Sequence, residues 1–379
     1  MSTISYITQI QFGYDSLGLL KQECARVGIR RPLVVTDAGV RRAGIVARVL
    51  AQLDGASEND VYDGTPPNPN ERAVRAAVEQ FRAGGHDGIV AVGGGSSIDL
   101  AKGVAVCATH DGPLRSFAAI EGGASRITAA TASVIAVPTT AGTGSEVGRG
   151  AILILDDGRK VGILSPHVVP KAAICDPALT LDLPAALTAA TGMDAIAHCI
   201  ETFLSPAFNP PADGIALDGL RRAWAFIERA TNEPHDREAR LNMMSASMQG
   251  ALAFQKGLGC VHSLSHSLGG INPALHHGTL NAVFLPAVLR FNASAASVTD
   301  ERKMARLAQS MALGPSESPD EAIARMNARL GLARGLAELG VERALFPRIV
   351  TGALADHSHK SNPRDASPDD YLALLDASM

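Results

Sequence analysis

The sequence is short of several things, and each shortage narrows what the chain can do. It holds five cysteines in 379 residues. They are odd in number and scattered (Cys24, Cys107, Cys175, Cys199, Cys260), and no C-x-x-C occurs. That pattern excludes a zinc-finger arrangement and points to reduced thiols in a cytoplasmic compartment. No stretch approaches the roughly 20 uninterrupted apolar residues of a membrane span. The opening "MSTISYITQIQFGYDSLG" lacks a basic region followed by an apolar one, so no signal peptide is expected. Charge is balanced at net −4 with no basic block, which argues against nucleic acid or an anionic membrane as partner. Repeats and low-complexity segments are absent too. What remains is a chain long enough for two domains and, at 46% apolar residues, able to build a sizeable core.

The first half alternates two periodicities. "RPLVVTDAG" (31–39), "DGIVAVGGGSS" (87–97) and "SVIAVPTTAGTG" (133–144) are short apolar runs ending in turn residues, the pattern of buried parallel strands. "NERAVRAAVEQFRAGG" (70–85) spaces Val74, Val78 and Phe81 as a helix does, with Gly84-Gly85 as its stop. "AILILDDGRKVGIL" (151–164) places Asp157-Gly158 between two β-rich arms, a hairpin signal. These segments predict an α/β domain with a mostly parallel sheet covered on both faces. After "AAICDPALTLDLP" (172–184) long Ala/Leu/Met-rich stretches such as 236–256 take over and read as helix. The expected division is 1–180, α/β, and 181–379, all-α, with a cleft between them where a ligand would bind.

Two loops in the first half carry chemistry. "AVGGGSSIDLAKG" (91–103) hands a strand over to a helix. Its glycines let backbone approach a phosphate, and Ser96 and Ser97 are candidate caps for a helix whose N-terminus favours an anion. The first strand–helix turn has no G-x-G-x-x-G, so this is not the common dinucleotide fingerprint. A plain tight turn is the competing reading. "PTTAGTGSEVGRG" (138–150) also leaves a strand end and is dense in hydroxyls and glycines. Two such loops at the carboxyl edge of one sheet point to a nucleotide lying across it. Asp37, at the end of a strand, suits both ribose hydroxyls of an adenosine and repels a 2′-phosphate, favouring NAD; a helix N-cap or turn residue is the other reading.

The second half concentrates histidine. "VHSLSHSLGGINPALHHG" (261–278) holds four of the eleven in the chain. "TGMDAIAHCIETF" (191–203) sets Asp194 and His198 four apart on one helix face, and His262 and His266 repeat that spacing in a helix expected to end at Gly269-Gly270. His277 precedes Gly278, which opens the next helix, and His276 competes with it for one role. One carboxylate and several imidazoles on three elements suit a divalent first-row ion, whereas Mg²⁺ or Ca²⁺ would want more oxygens. Taken singly, the Asp194–His198 spacing is more often a surface ion pair, and the His262–His266 spacing is the stronger signal.

With these residues in place the sequence resembles the iron-containing (group III) alcohol dehydrogenases. The likeness runs nearly the whole length, through "YDGTPPNPN" (62–70), "GGGSSIDLAK" (93–102), "PTTAGTGSEV" (138–147), "DPALTLDLP" (176–184), "GMDAIAHCIE" (192–201), "HSLSHSLGG" (262–270) and "HGTLNAVFLP" (277–286). The resemblance implies a dehydroquinate synthase-like fold with NAD and a divalent metal, Fe²⁺ first and Zn²⁺ as alternative. It implies Asp194, His198, His262 and His277 as metal ligands, with His266 a non-ligand histidine near substrate and nicotinamide. Gly94, Gly95 and Ser96 match pyrophosphate contacts, and Asp37 the ribose residue. Asn68, Asp99, Thr139, Thr140, Thr143, Lys160 and Leu179 complete the implied cofactor set. The segment between His266 and His277 is one residue longer than in many members, which leaves His276 open as the fourth ligand.

Within the family, "GSEVGRGAIL" and "LHHGTLNAVFLPAVLRFN" look most like 4-hydroxybutyrate dehydrogenases, implying oxidation of an ω-hydroxy acid to its semialdehyde. Arg149 follows the second glycine loop, where a guanidinium fork would suit a substrate carboxylate; a solvated surface arginine is the other reading. The resemblance also favours a homodimer or higher homo-oligomer. A plain alcohol and a phosphonate or sulfonate alcohol are alternative substrates. A metal- and NAD-dependent cyclase is disfavoured, because the helical half is sparse in the basic side chains that a phosphorylated sugar acid needs. A maleylacetate-reductase-like activity would dispense with the histidines. A non-catalytic sensor shows no DNA-binding element.

Overall fold

The computed structural model describes residues 8–379. Its contacts divide into two compact units. One holds the described residues up to Thr140 together with Gly144–Asp182; the other holds Leu183–Met379 and the short segment Ala141–Thr143.

The first unit is built on a six-stranded parallel sheet in the order β1-β8-β5-β4-β2-β3. Its strands are β1 (Gln9–Phe12), β2 (Pro32–Val35), β3 (Val61–Tyr62), β4 (Gly88–Gly93), β5 (Ser133–Pro138) and β8 (Ala172–Cys175). Every residue of β2, β4 and β8 is buried, as expected of strands covered on both faces. Alternate side chains feed two separate cores: Leu33, Val35, Ile89, Ala91, Val134 and Ala136 face one, and Val34, Val90, Val92, Ile135 and Val137 the other. The helices Glu71–Ala83 and Gly95–Cys107 cover the first face. β6 (Gly150–Ile154) and β7 (Lys160–Leu164) pair antiparallel, as the Asp157-Gly158 signal predicts. The strand read at 31–39 is preceded by β1, an edge strand too short and polar, "QIQF", to register in an apolar pattern.

The second unit is all helix. Ala185–Leu204 is its central element, buried from Thr188 through Leu204. Helices Pro210–Asn232, Arg237–Ala253 and His277–Asn292 pack around it, and Cys260–Ile271 packs against His277–Asn292 and Phe346–Ala355. Gly269 and Gly270 do not end the helix that holds them. It continues to Ile271, because two glycines weaken but do not forbid helical backbone where tertiary packing supports it. No helix among the described residues is long and apolar enough to cross a membrane.

One buried charge organises the loops of the first unit. Lys102 is fully buried, and its ammonium donates to Ser145 O (2.7 Å), Ser145 Oγ (2.8 Å), Gly148 O (3.0 Å) and Gly150 O (2.7 Å). Burial pushes its pKa down to about 8, which still leaves it charged at neutral pH. Asp99 closes the same network, accepting from Ser145 Oγ (2.5 Å) and Ile152 N (2.9 Å). Lys102→Met would leave those buried acceptors without a donor. A loss of about 3 kcal/mol is expected, read as a lower urea midpoint at unchanged m-value.

Candidate active site

The sheet order contains a switch. β3 lies on one side of β2 and β4 on the other, so the chain reverses direction across the sheet between β2 and β4. The carboxyl ends of strands at such a point form a crevice. Three of the sequence motifs leave from there: Asp37 after β2, Gly93–Ser97 after β4, and Thr139 and Thr140 after β5, with Thr139 N donating to Gly93 O (3.0 Å). Gly93 has φ +148°, and a Cβ there would lie 2.5 Å from Ser97 Oγ. Only glycine makes this turn. The helix that follows starts at Gly95 with Gly94 as its N-cap and no side-chain cap, which directs its first N–H groups and its dipole toward an incoming anion.

The serines have other duties than capping. Ser96 Oγ donates to Pro67 O (2.5 Å) and Ser97 Oγ to Asp37 Oδ2 (3.3 Å). Asp37 is itself the N-cap of Ala38–Arg42, accepting from Gly39 N (2.8 Å) and Val40 N (3.0 Å) on Oδ1. The N-cap reading of Asp37 therefore holds, and the cap fixes its carboxylate at the switch point. Lys160 Nζ donates to Asn68 Oδ1 (3.1 Å), Leu179 is buried, and Thr143 falls in the segment grouped with the helical unit. The Arg149 side chain is exposed, while its carbonyl accepts from Ser165 N (3.0 Å).

The helical unit gathers the histidines. Asp194 is 2% exposed, and its Oδ1 is approached by three imidazole Nε2 atoms: His198 at 3.8 Å, His262 at 3.6 Å and His277 at 3.7 Å. The i,i+4 spacing on Ala185–Leu204 supplies the first pair, and two further helices supply the others. His198 and His262 stack at 4.6 Å between ring centroids. Tetrahedral ligand atoms about 2.1 Å from one ion stand about 3.4 Å apart, close to these separations. One carboxylate oxygen and three imidazoles suit Fe²⁺ or Zn²⁺. His276 is exposed as the N-cap residue of His277–Asn292, whereas His277 turns Nε2 toward Asp194. Cys199 and Cys260 point into the apolar core.

Charge at this centre is finely set. Burial works against the Asp194 carboxylate, but the surrounding His198, His262 and His277 hold its pKa well below the usual range. Burial, against the pull of Asp194, brings His198 down to about 4, leaving the ring neutral with a lone pair to offer. Burial also works to lower His262, yet hydrogen bonds to Asp194 and Glu201 carry it up to about 9. The cluster thus calls for positive charge at its middle.

Three residues that sequence reasoning did not single out complete the site. Glu201 is buried and accepts from Val261 N (2.8 Å) and His262 Nδ1 (2.5 Å). It therefore fixes the His262 tautomer with Nε2 facing Asp194, the arrangement in which a carboxylate orients a ligating histidine. Asn281, one turn beyond His277, donates to Asp194 Oδ1 (2.7 Å). Asp356, far along the chain, accepts from His266 Nδ1 (3.0 Å). Glu201 had a legible signal, since it stands seven residues after Asp194, two turns along the same face. Asp356 had none, because 90 residues separate it from its partner.

Comparison with known proteins agrees with this architecture. The family model "Iron-containing alcohol dehydrogenase" matches residues 8–177, and "Fe-containing alcohol dehydrogenase family, C-terminal" matches 188–379. A 4-hydroxybutyrate dehydrogenase of Cupriavidus necator is 60% identical over 383 residues, covering all of both chains. The crystal structure of a 1,3-propanediol oxidoreductase superposes with TM-score 0.91 at 34% identity over the full length of both chains. A sulfoacetaldehyde reductase from Bifidobacterium kashiwanohense, solved with NAD+, superposes with TM-score 0.89 at 28% identity, covering 100% of this chain and 98% of that one.

Two substitutions probe the cluster. In Glu201→Gln the amide oxygen still accepts from Val261 N, but an NH₂ faces His262 and favours the tautomer whose Nε2 carries the proton. Metal affinity should fall about 10–100-fold, measured by chelator competition, with little change in the melting of the metal-free chain. At Gly278 a Cβ would stand 2.2 Å from the Ala190 carbonyl oxygen. Gly278→Ala should therefore force two helices apart at His277 and cost about 1–3 kcal/mol as well as metal retention.

Proposed function

The chain belongs to the iron-containing alcohol dehydrogenase family and is an NAD-linked alcohol dehydrogenase, and from that premise we propose that it interconverts 4-hydroxybutyrate, an ω-hydroxy acid, and the corresponding semialdehyde. The 60% identity to the Cupriavidus necator enzyme supports this substrate. The observation that carries the metal-dependent chemistry is the approach of three imidazole nitrogens to one buried aspartate oxygen.

When bound, a divalent ion supplies Lewis acidity toward the alcohol oxygen and the dinucleotide accepts the hydride. Asp194, His198, His262 and His277 hold the ion, Fe²⁺ in our reading, with Zn²⁺ suited to the same ligands. Gly94, Gly95 and Ser96 receive the pyrophosphate, and Asp37 takes the ribose and repels a 2′-phosphate. Asn68, Asp99, Thr139, Thr140, Thr143, Lys160 and Leu179 line or brace the rest of the dinucleotide. His266 manages the hydroxyl proton. Its Nδ1–H points at Asp356, so Nε2 carries the lone pair and accepts, while Asp356 stabilises the imidazolium. Arg149 pairs its guanidinium with the substrate carboxylate. The five unpaired thiols support a cytoplasmic setting. β1, a sheet edge among the described residues, bears the exposed Phe12 and supports a homodimer or higher homo-oligomer.

The deciding assay is NAD⁺ reduction on metal-loaded enzyme with 4-hydroxybutyrate, 1,3-propanediol, a sulfonate alcohol and plain short alcohols. The highest kcat/KM is expected for 4-hydroxybutyrate, and a plain alcohol ahead of it would reject the substrate. His198→Ala and His262→Ala should lose the metal and nearly all turnover, as should exhaustive chelation. His266→Ala should lose about 100-fold in kcat. Arg149→Leu should raise KM for 4-hydroxybutyrate and leave 1,3-propanediol unaffected. Unchanged constants on both substrates would remove Arg149 from the site.

A further inference from the structure

A second group of metal-type ligands lies beside the first. Asp356 ends the helix Phe346–Ala355 and turns into the 3-10 segment His357–Ser361. Its Oδ1 accepts from Ser358 N (2.8 Å), which fixes the carboxylate and leaves Oδ2 to two imidazoles. His266 Nδ1 stands 3.0 Å from Oδ2, and His357 Nδ1 stands 3.6 Å from it. One ligand atom from each of the three residues lies within 4.8 Å of the others. The His266 and His357 rings are stacked at 5.6 Å and 25°, so both present the same edge to the carboxylate.

These separations straddle the roughly 3.4 Å expected between ligand atoms on one tetrahedral ion. Two nitrogens and one oxygen select a borderline ion such as Zn²⁺ over Mg²⁺ or Ca²⁺. The site is open on one side. His266 and Asp356 are each 9% exposed by side chain and His357 is 35% exposed, which gives an entry path and leaves the fourth position to water. With three protein ligands, one at the surface, it binds more weakly than the four-ligand cluster.

We propose that His266, Asp356 and His357 form a second, weaker site for Zn²⁺, and that filling it suppresses turnover by withdrawing His266 from proton transfer. The inhibitory half rests on the reading of His266 given above; the site itself does not. As zinc binds, His266 changes tautomer: Nδ1 releases its proton to solvent, Nε2 takes one up from solvent, and the Nδ1 lone pair goes to the ion. Nε2 then carries the ring proton beside a cation and has no lone pair with which to accept the hydroxyl proton. Sequence pattern concealed the site because its ligands come from two segments about 90 residues apart, and His357 by itself reads as a surface residue in "ADHSHKSNPR".

The experiment titrates ZnCl₂ into metal-loaded full-length enzyme, reading bound metal by equilibrium dialysis with elemental analysis and turnover in parallel. Wild type should reach two ions per chain and lose about tenfold in turnover as the second binds, a fraction set by its Kd. His357→Ala should stop at one ion and keep its turnover at the same zinc concentration. His198→Ala, which disables the first cluster, should retain one weak ion, and adding His357→Ala should remove it. Saturation of wild type at one ion that His357→Ala retains, two ions in His357→Ala, a second ion without loss of turnover, or equal zinc inhibition in wild type and His357→Ala would each overturn the inference. Failure of the dehydrogenase reading looks different: no NAD⁺ reduction with any alcohol before zinc is added.

Discussion

A carboxylate buried in an apolar helical core sets the terms for the helical unit. Asp194 sits on the inward face of the most buried helix in the chain. An isolated charge there would cost many kcal/mol, and the group would neutralise rather than ionise. It stays ionised because His198, His262 and His277 surround it and Asn281 donates to it. Those imidazoles in turn need orienting, which draws in Glu201 behind His262. The facing carboxylate and ring nitrogens favour positive charge at their centre.

The α/β unit solves a different problem by different means. A dinucleotide presents phosphates and hydroxyls, and backbone serves for much of it: a strand end, a glycine turn and a helix start without a side-chain cap. Side chains near that turn are committed to one another, as Ser97 to Asp37, Lys160 to Asn68, and Lys102 and Asp99 to the 145–152 loop. Such internal bonds hold a binding surface in shape before the ligand arrives, which lowers the ordering cost of binding. Asp37 caps a helix through one carboxylate oxygen, which fixes the group at the strand end.

His266 stands where the two clusters of the helical unit meet. It stacks on His277 at 5.2 Å on one side and on His357 at 5.6 Å on the other, while Asp356 holds its Nδ1. In the proposal above, a metal on Nδ1 fixes the ring proton on Nε2, so the ring cannot hold that metal and accept the hydroxyl proton at once. That exclusivity makes the outer cluster the control point that we propose for the inner one.

Much of this was legible in the chain itself. Buried parallel strands announce themselves as unbroken Val/Ile runs, so β2, β4 and β5 were readable, as was the β6–β7 hairpin at Asp157-Gly158. Metal-type side chains spaced i,i+4 on one helix, Asp194 with His198 and His262 with His266, were readable for the same reason: short-range periodicity is written locally. Three-dimensional packing decided the rest. It placed His277 rather than His276 toward Asp194, gave Ser96 and Ser97 partners other than the helix start, carried a helix through Gly269-Gly270, and brought Glu201, Asn281 and Asp356 to their histidines. These outcomes depend on which side chains meet across helices and strands tens of residues apart, and no local pattern records that distance.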